Sequence, residues 1–92
     1  MRLEGIFLCY LEEVECKFKP GDGNGRIEVN IGIKATVYEC IAACEAKKAT
    51  HPYINGVTIP TTGDVNCYCE MSMTGWENGS GSWKSCKIVS GK

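Results

Sequence analysis

Thr36-Val37-Tyr38-Glu39-Cys40-Ile41-Ala42-Ala43-Cys44 and Asn66-Cys67-Tyr68-Cys69-Glu70 are the two stretches that decide the fold. In the first, the Thr36 hydroxyl takes an orphan amide while Glu39 reaches back to the Thr36 amide, a capping box that predicts a helix start. Val37, Cys40, Ile41 and Cys44 then share one face, with Glu39, Glu45 and Lys47 toward water. Lys47 and Lys48 complement the negative end of the helix dipole, and the helix ends near Ala49, ahead of Pro52. The second stretch alternates from Cys67 to Met73, with Cys67, Cys69, Met71 and Met73 inward and Tyr68, Glu70 and Ser72 opposite, as in a strand. Cysteines four apart on a helix lie about 6 Å apart along its axis, and cysteines two apart on a strand about 6.6 Å. The two pairs therefore match, and either assignment, Cys40–Cys69 with Cys44–Cys67 or Cys40–Cys67 with Cys44–Cys69, satisfies the spacing.

Outward from this pair the chain reads as sheet, helix, sheet. Val14, Cys16 and Phe18 alternate with Glu15, Lys17 and Lys19, a half-buried strand. Pro20-Gly21-Asp22-Gly23-Asn24-Gly25 breaks it, and Ile27, Val29, Ile31 and Ile33 alternate in a second strand, so the pair is predicted as a hairpin with a long turn. Ile6 to Leu11 reads as a short buried strand. Tyr53 to Ile59 is a bulged strand or a tight hairpin at Asn55-Gly56. Pro60 to Asp64 is a turn, Thr74 to Ser82 a Gly/Ser/Asn-rich loop, and Cys86 to Val89 a last strand. Residues 1–92 read as one domain, without internal repeat or linker.

Composition narrows the function classes. A 92-residue chain has a small core that gains much from covalent cross-links, and seven cysteines are available to form them. Ten Lys and Arg against eleven Asp and Glu give a formal charge of −1 with no basic stripe, which argues against nucleic acid. No apolar run approaches the length that spans a membrane. Cysteine density of this order points to an oxidising, extracellular compartment, where Asn78-Gly79-Ser80 is a glycosylation acceptor in a eukaryotic secretory protein. Ile6 to Leu11 is too short for a signal peptide's apolar region and follows Glu4, so the chain reads as a mature one. Because seven is odd, one thiol is free or paired between chains, which leaves room for a homo-oligomer.

No catalytic constellation stands out. His51 has no nucleophile with an orienting partner, and no serine sits in an elbow or triad-like segment. A single histidine and the lack of paired Cys-x-x-Cys motifs argue against zinc. Asp22-Gly23-Asn24-Gly25-Arg26-Ile27 imitates the middle of an EF-hand, but Pro20 and Ile31 occupy its two end ligand positions and the flanks are strands, so a glycine-rich turn is preferred to a calcium loop. Cys67 and Cys69 read as structural, since nothing beside them stabilises a thiolate. No metal, cofactor or catalytic residue is expected. The best binding candidate is the loop Trp76-Glu77-Asn78-Gly79-Ser80-Gly81-Ser82-Trp83, whose indoles offer stacking faces and whose amide and hydroxyls offer directional hydrogen bonds. Trp83, close to Cys86, is weighted toward the core, and the face bearing Tyr68 and Glu70 is the next surface to consider.

Phe7-Leu8-Cys9-Tyr10 resembles the opening of WSC modules, Thr36 to Cys44 the Cys-x3-Cys helix shared by PAN/apple and WSC modules, and Asn66-Cys67-Tyr68-Cys69-Glu70 the WSC Cys-Tyr-Cys strand. The resemblance spans residues 7 to 86. It implies an α+β fold, a small disulfide-stapled antiparallel sheet cradling one α-helix, with nested bridges Cys40–Cys69 and Cys44–Cys67. It also implies Cys9 as partner of Cys86, leaving Cys16 as a buried thiol. Such modules bind carbohydrate or extracellular protein and are not enzymes. The expectation is therefore a secreted, non-catalytic recognition or adhesion module, with Trp76, Glu77, Asn78, Ser80, Trp83 and Tyr68 as ligand-binding residues and carbohydrate ahead of protein. The alternatives are a structural assembly protein of an extracellular matrix or secreted material and, third, a toxin or protease inhibitor.

Overall fold

The computed structural model describes residues 14–77 and 81–90. Among these residues, six strands, β1 (Val14–Cys16), β2 (Lys19–Pro20), β3 (Ile27–Lys34), β4 (Ile54–Pro60), β5 (Val65–Met71) and β6 (Trp83–Ser90), accompany one helix, α1 (Val37–Lys47). The strands form an antiparallel sheet in the order β1-β6-β4-β5-β3, with β2 also on β6. The small, disulfide-stapled α+β fold is the one expected from the sequence. The predicted strand at Ile6 to Leu11 lies outside the described residues.

Local chemistry accounts for several boundaries. Thr36 caps α1, its side chain accepting the Glu39 N–H at 3.0 Å. Cys40 and Cys44 face inward with Val37 and Ile41 packed beside them. Between Tyr53 and Ile59 the bulged strand prevails, with a register shift between Ile54 and Gly56. Asn55 there exchanges two 2.8 Å hydrogen bonds with the Met73 backbone, which fills the pairing that the bulge would leave open. At the end of β5, Ser72 adopts φ 58°, a left-handed turn that takes Met73 into the interior.

The hairpin expected between residues 14–19 and 27–33 does not form. β1 and β2 both pair with β6 in one register, Cys16 opposite Ile88 and Lys19 opposite Ser85, so they run as a single edge interrupted at Lys17 and Phe18. β3 pairs instead with β5. The segment from Gly21 to Gly25 does not turn tightly back; it crosses the sheet as a strap, held by the Gly21 N–H on the Trp83 carbonyl (2.9 Å) and the Asn24 N–H on the Gly75 carbonyl (3.1 Å).

The disulfides also correct the expected pairing. Cys40 bridges Cys67 and Cys44 bridges Cys69, with Cα separations of 5.6 and 5.5 Å. This is the alternative to the nested set, and it follows when helix and strand run in the same sense, so that the first cysteine of each meets the first of the other. The third bridge joins Cys86 to Cys16, not to Cys9, at a Cα separation of 5.1 Å. Pairing of β1 with β6 brings Cys16 to Cys86, so Cys16 is no free thiol. Cys9 lies outside the described residues.

One face of the sheet packs on α1, where Cys40, Cys44, Val57, Ile59, Cys67, Cys69, Cys86 and Ile88 form the core. On the other face two cross-strand rows run through the registers: Glu28–Glu70–Gly56–Lys87, and Asn30–Tyr68–Thr58–Ser85–Lys19. The strap covers part of this second face. The burial of Thr58, Glu70 and Ser85 follows from that cover.

Candidate functional site

Glu70 is 0% exposed, which corrects its assignment to an open strand face. Three features put it there. Gly56, its neighbour on β4, has no side chain, and the Met73 sulfur fills the space above it. Gly23 of the strap lies over the Glu70 side chain, where an added Cβ would meet its Cδ at 3.1 Å. Gly25 approaches closer still, since a Cβ there would stand 2.5 Å from Oε1. Only glycine permits so close a backbone approach.

The buried polar groups form a chain. Ser85 Oγ donates to the Gly21 carbonyl at 2.8 Å, Thr58 Oγ1 lies 2.8 Å from Ser85 Oγ, and Glu70 Oε2 lies 2.6 Å from Thr58 Oγ1. Thr58 Oγ1 donates to Glu70 Oε2, and the Gly23 N–H, 3.3 Å from Thr58 Oγ1, donates to that hydroxyl. Burial, with the Glu28 carboxyl beside it, pushes the Glu70 pKa up to about 8, against an opposing pull from the Thr58 hydroxyl. Asp22 is raised too, by burial first and then by Glu28. One oxygen each of Asp22, Glu28 and Glu70 lies within 4.8 Å of the others.

Beside these carboxylates, Tyr68 and Trp83 meet edge to face, ring centroids 5.7 Å apart and planes at 78°. Asp22, Glu28, Tyr68 and Trp83 line a cleft of about 140 Å³. The half-buried Trp83 is thus a wall of this cleft. Trp76 lines a different one, of about 280 Å³, with Glu15, Lys17, Lys19, Lys87 and Val89. Its Nε1–H is committed to the Ser85 carbonyl at 2.7 Å, and Lys19 Nζ stands 4.5 Å from its ring centroid. Glu77 is exposed, its backbone N–H donating to the Asp22 carbonyl at 2.8 Å. Asn78 and Ser80 lie outside the described residues. The structure therefore brings Tyr68 to Trp83 and does not bring Trp76 into the same cleft.

Asp22, Glu28 and Glu70 as a group escape a reading by local pattern, since the strap, β3 and β5 each supply one. The only signal was the Asp22 segment, whose EF-hand likeness is not realised: Asn24 Oδ1 accepts the N–H groups of Thr74 and Gly75 at 2.9 and 2.8 Å. The sulfurs of Cys40, Cys44 and Cys67 also cluster, but all three are in disulfides. A third cleft, about 340 Å³, opens at Arg26, Ile27, Tyr53, Met71 and Ser72 without a buried polar group. Among the described residues no helix is long and apolar enough to cross a membrane. No family model, curated protein or solved structure matches the chain.

Proposed function

We propose that this is a secreted, non-catalytic recognition module that binds carbohydrate in the cleft between Tyr68, Trp83, Asp22 and Glu28. The observation that carries the reading is the juxtaposition of an aromatic pair with two carboxylates around about 140 Å³. Sugar rings present C–H faces that pack on aromatic carbon and hydroxyls that donate to carboxylates, so one small cleft serves both. The volume lies below the roughly 300–1,000 Å³ of pockets for drug-sized ligands, which suits a single ring with the remainder of a glycan on the surface. Three disulfides fit an oxidising compartment, and the resemblance to PAN/apple and WSC modules points the same way. Cys16, bridged to Cys86, is not available to link chains.

A glycan-array screen of the oxidised domain tests the reading. Binding to a defined sugar is expected, weakened by about 1–3 kcal/mol in Tyr68→Ala and unchanged in Trp76→Ala. Silence across the array, or loss confined to Trp76→Ala, would overturn it.

A further inference from the structure

We propose that Asp22, Glu28 and Glu70 form a binding site for a calcium ion. One oxygen from each lies within 4.8 Å of the others. Oxygens 2.3–2.6 Å from a calcium ion are roughly 4.0–4.5 Å apart in a symmetric trio and up to about 5.2 Å apart across the ion, so separations within 4.8 Å are of the size that ligands of one ion have. The donor set is all oxygen, without the nitrogen or thiolate that zinc prefers.

A second observation points to a ligand. Glu70 is completely buried, and outside the three-carboxyl cluster its Oε1 has no hydrogen-bond partner; the same holds for the buried Oδ1 of Asp22. Oε2 is occupied by Thr58 on β4, and Oε1 lies against Gly25, where the strap that carries Asp22 leads into β3; Glu28 on β3 is the cross-strand neighbour of Glu70. Among the described residues no lysine or arginine makes an ion pair with any of the three. Lys87, in the same cross-strand row, is separated from Glu70 by Gly56 and the Met73 sulfur, and its ammonium stands 6.0 Å from the Trp76 ring centroid. Three converging carboxyl groups hold their charge only at a cost, which a bound cation lowers just as a retained proton does.

The site is closed below and open above. Glu28 is exposed and, with Asp22, borders the cleft of about 140 Å³, which leaves coordination positions for water or for a ligand oxygen. Calcium accepts six to eight oxygens in irregular arrangements, whereas magnesium demands a near-octahedral set. The three acids come from three elements, so this site is unrelated to EF-hand coordination, in which one loop supplies the ligands. It does not depend on the identity of the larger ligand.

The test uses the oxidised chain stripped with chelator and calcium alone. Calcium is expected to raise the melting temperature saturably, with a dissociation constant in the ~0.1–1 mM range of extracellular modules. Terbium in its place should give luminescence sensitised by Trp83, and calcium should quench it by displacement. Glu28→Gln, at an exposed position, should keep the native circular dichroism spectrum and weaken calcium at least tenfold; Glu70→Gln should do the same more strongly. No melting shift in about 10 mM calcium over sodium chloride of equal ionic strength would overturn the site. So would a shift that persists in Glu28→Gln and Asp22→Asn, and an equal response to magnesium would overturn the calcium assignment.

Discussion

The two faces of the sheet are both covered, by opposite chemistry. On one, α1 closes an apolar layer and two disulfides tie it to β5. On the other, the Gly21–Gly25 strap closes over Glu70, Thr58 and Ser85, and hydrogen bonds hold it there. The first cover rests on apolar contact and on two disulfides. The second is held by hydrogen bonds that run through one buried carboxyl group. Burial alone therefore does not distinguish a structural face from one poised for binding; what matters is whether the buried atoms have all their partners.

Reduction is the most severe way to break this comparison. The bridges span 27, 25 and 70 residues, and the chain-entropy model assigns roughly 3.5, 3.5 and 4.4 kcal/mol to such loops, values that do not add. A domain has only about 5–15 kcal/mol to lose, so strong reductant should abolish the cooperative thermal transition seen by circular dichroism. A native-like transition under reduction would mean that the strap face suffices.

pH tests the other face, in chelator so that no ion competes. Because the Glu70 pKa is raised to about 8 in the fold, between the ordinary carboxylate range and that value the native chain holds a proton that the unfolded chain has released. Stability should therefore be fully present at pH 4 to 5 as far as this group is concerned, fall as pH rises, by at most about 1.4 kcal/mol per unit, and level off above 8. Denaturant melts across that range should show the slope in the native sequence and a flatter profile in Glu70→Gln. An unchanged slope in the variant would assign the titration elsewhere.

Smaller perturbations sharpen the contrast. Thr58→Val deprives Glu70, Ser85 and the Gly23 N–H of a shared partner and should cost about 1–3 kcal/mol in urea unfolding, with the disulfides intact. Thr36→Ala removes only the cap of α1, on the opposite cover, and should cost about 1 kcal/mol without altering the pH profile. A pH profile altered by Thr36→Ala would show that the two covers are coupled through the sheet.

Periodicity and capping chemistry were sufficient, from sequence, for α1, for the inward faces of β5 and for the strand at residues 14–19, because each depends on neighbours a few positions apart. They were sufficient also to match Cys40 and Cys44 with Cys67 and Cys69 as sets. Which cysteine meets which depends on the relative direction of helix and strand, and equal spacings carry no direction. Likewise the alternation around Glu70 gives two faces but not what covers them, and only the strap, folded across from residues 21–25, makes that position interior. Strand partners required the tertiary structure for the same reason: the β1–β2 edge and β3 are consecutive in sequence, yet β6 and β5 take them. Trp76 and Trp83, seven residues apart, enter different clefts, while Tyr68 reaches Trp83 from another strand. Local physics decided the elements of this protein; long-range packing decided the partners, and the candidate site is made of partners.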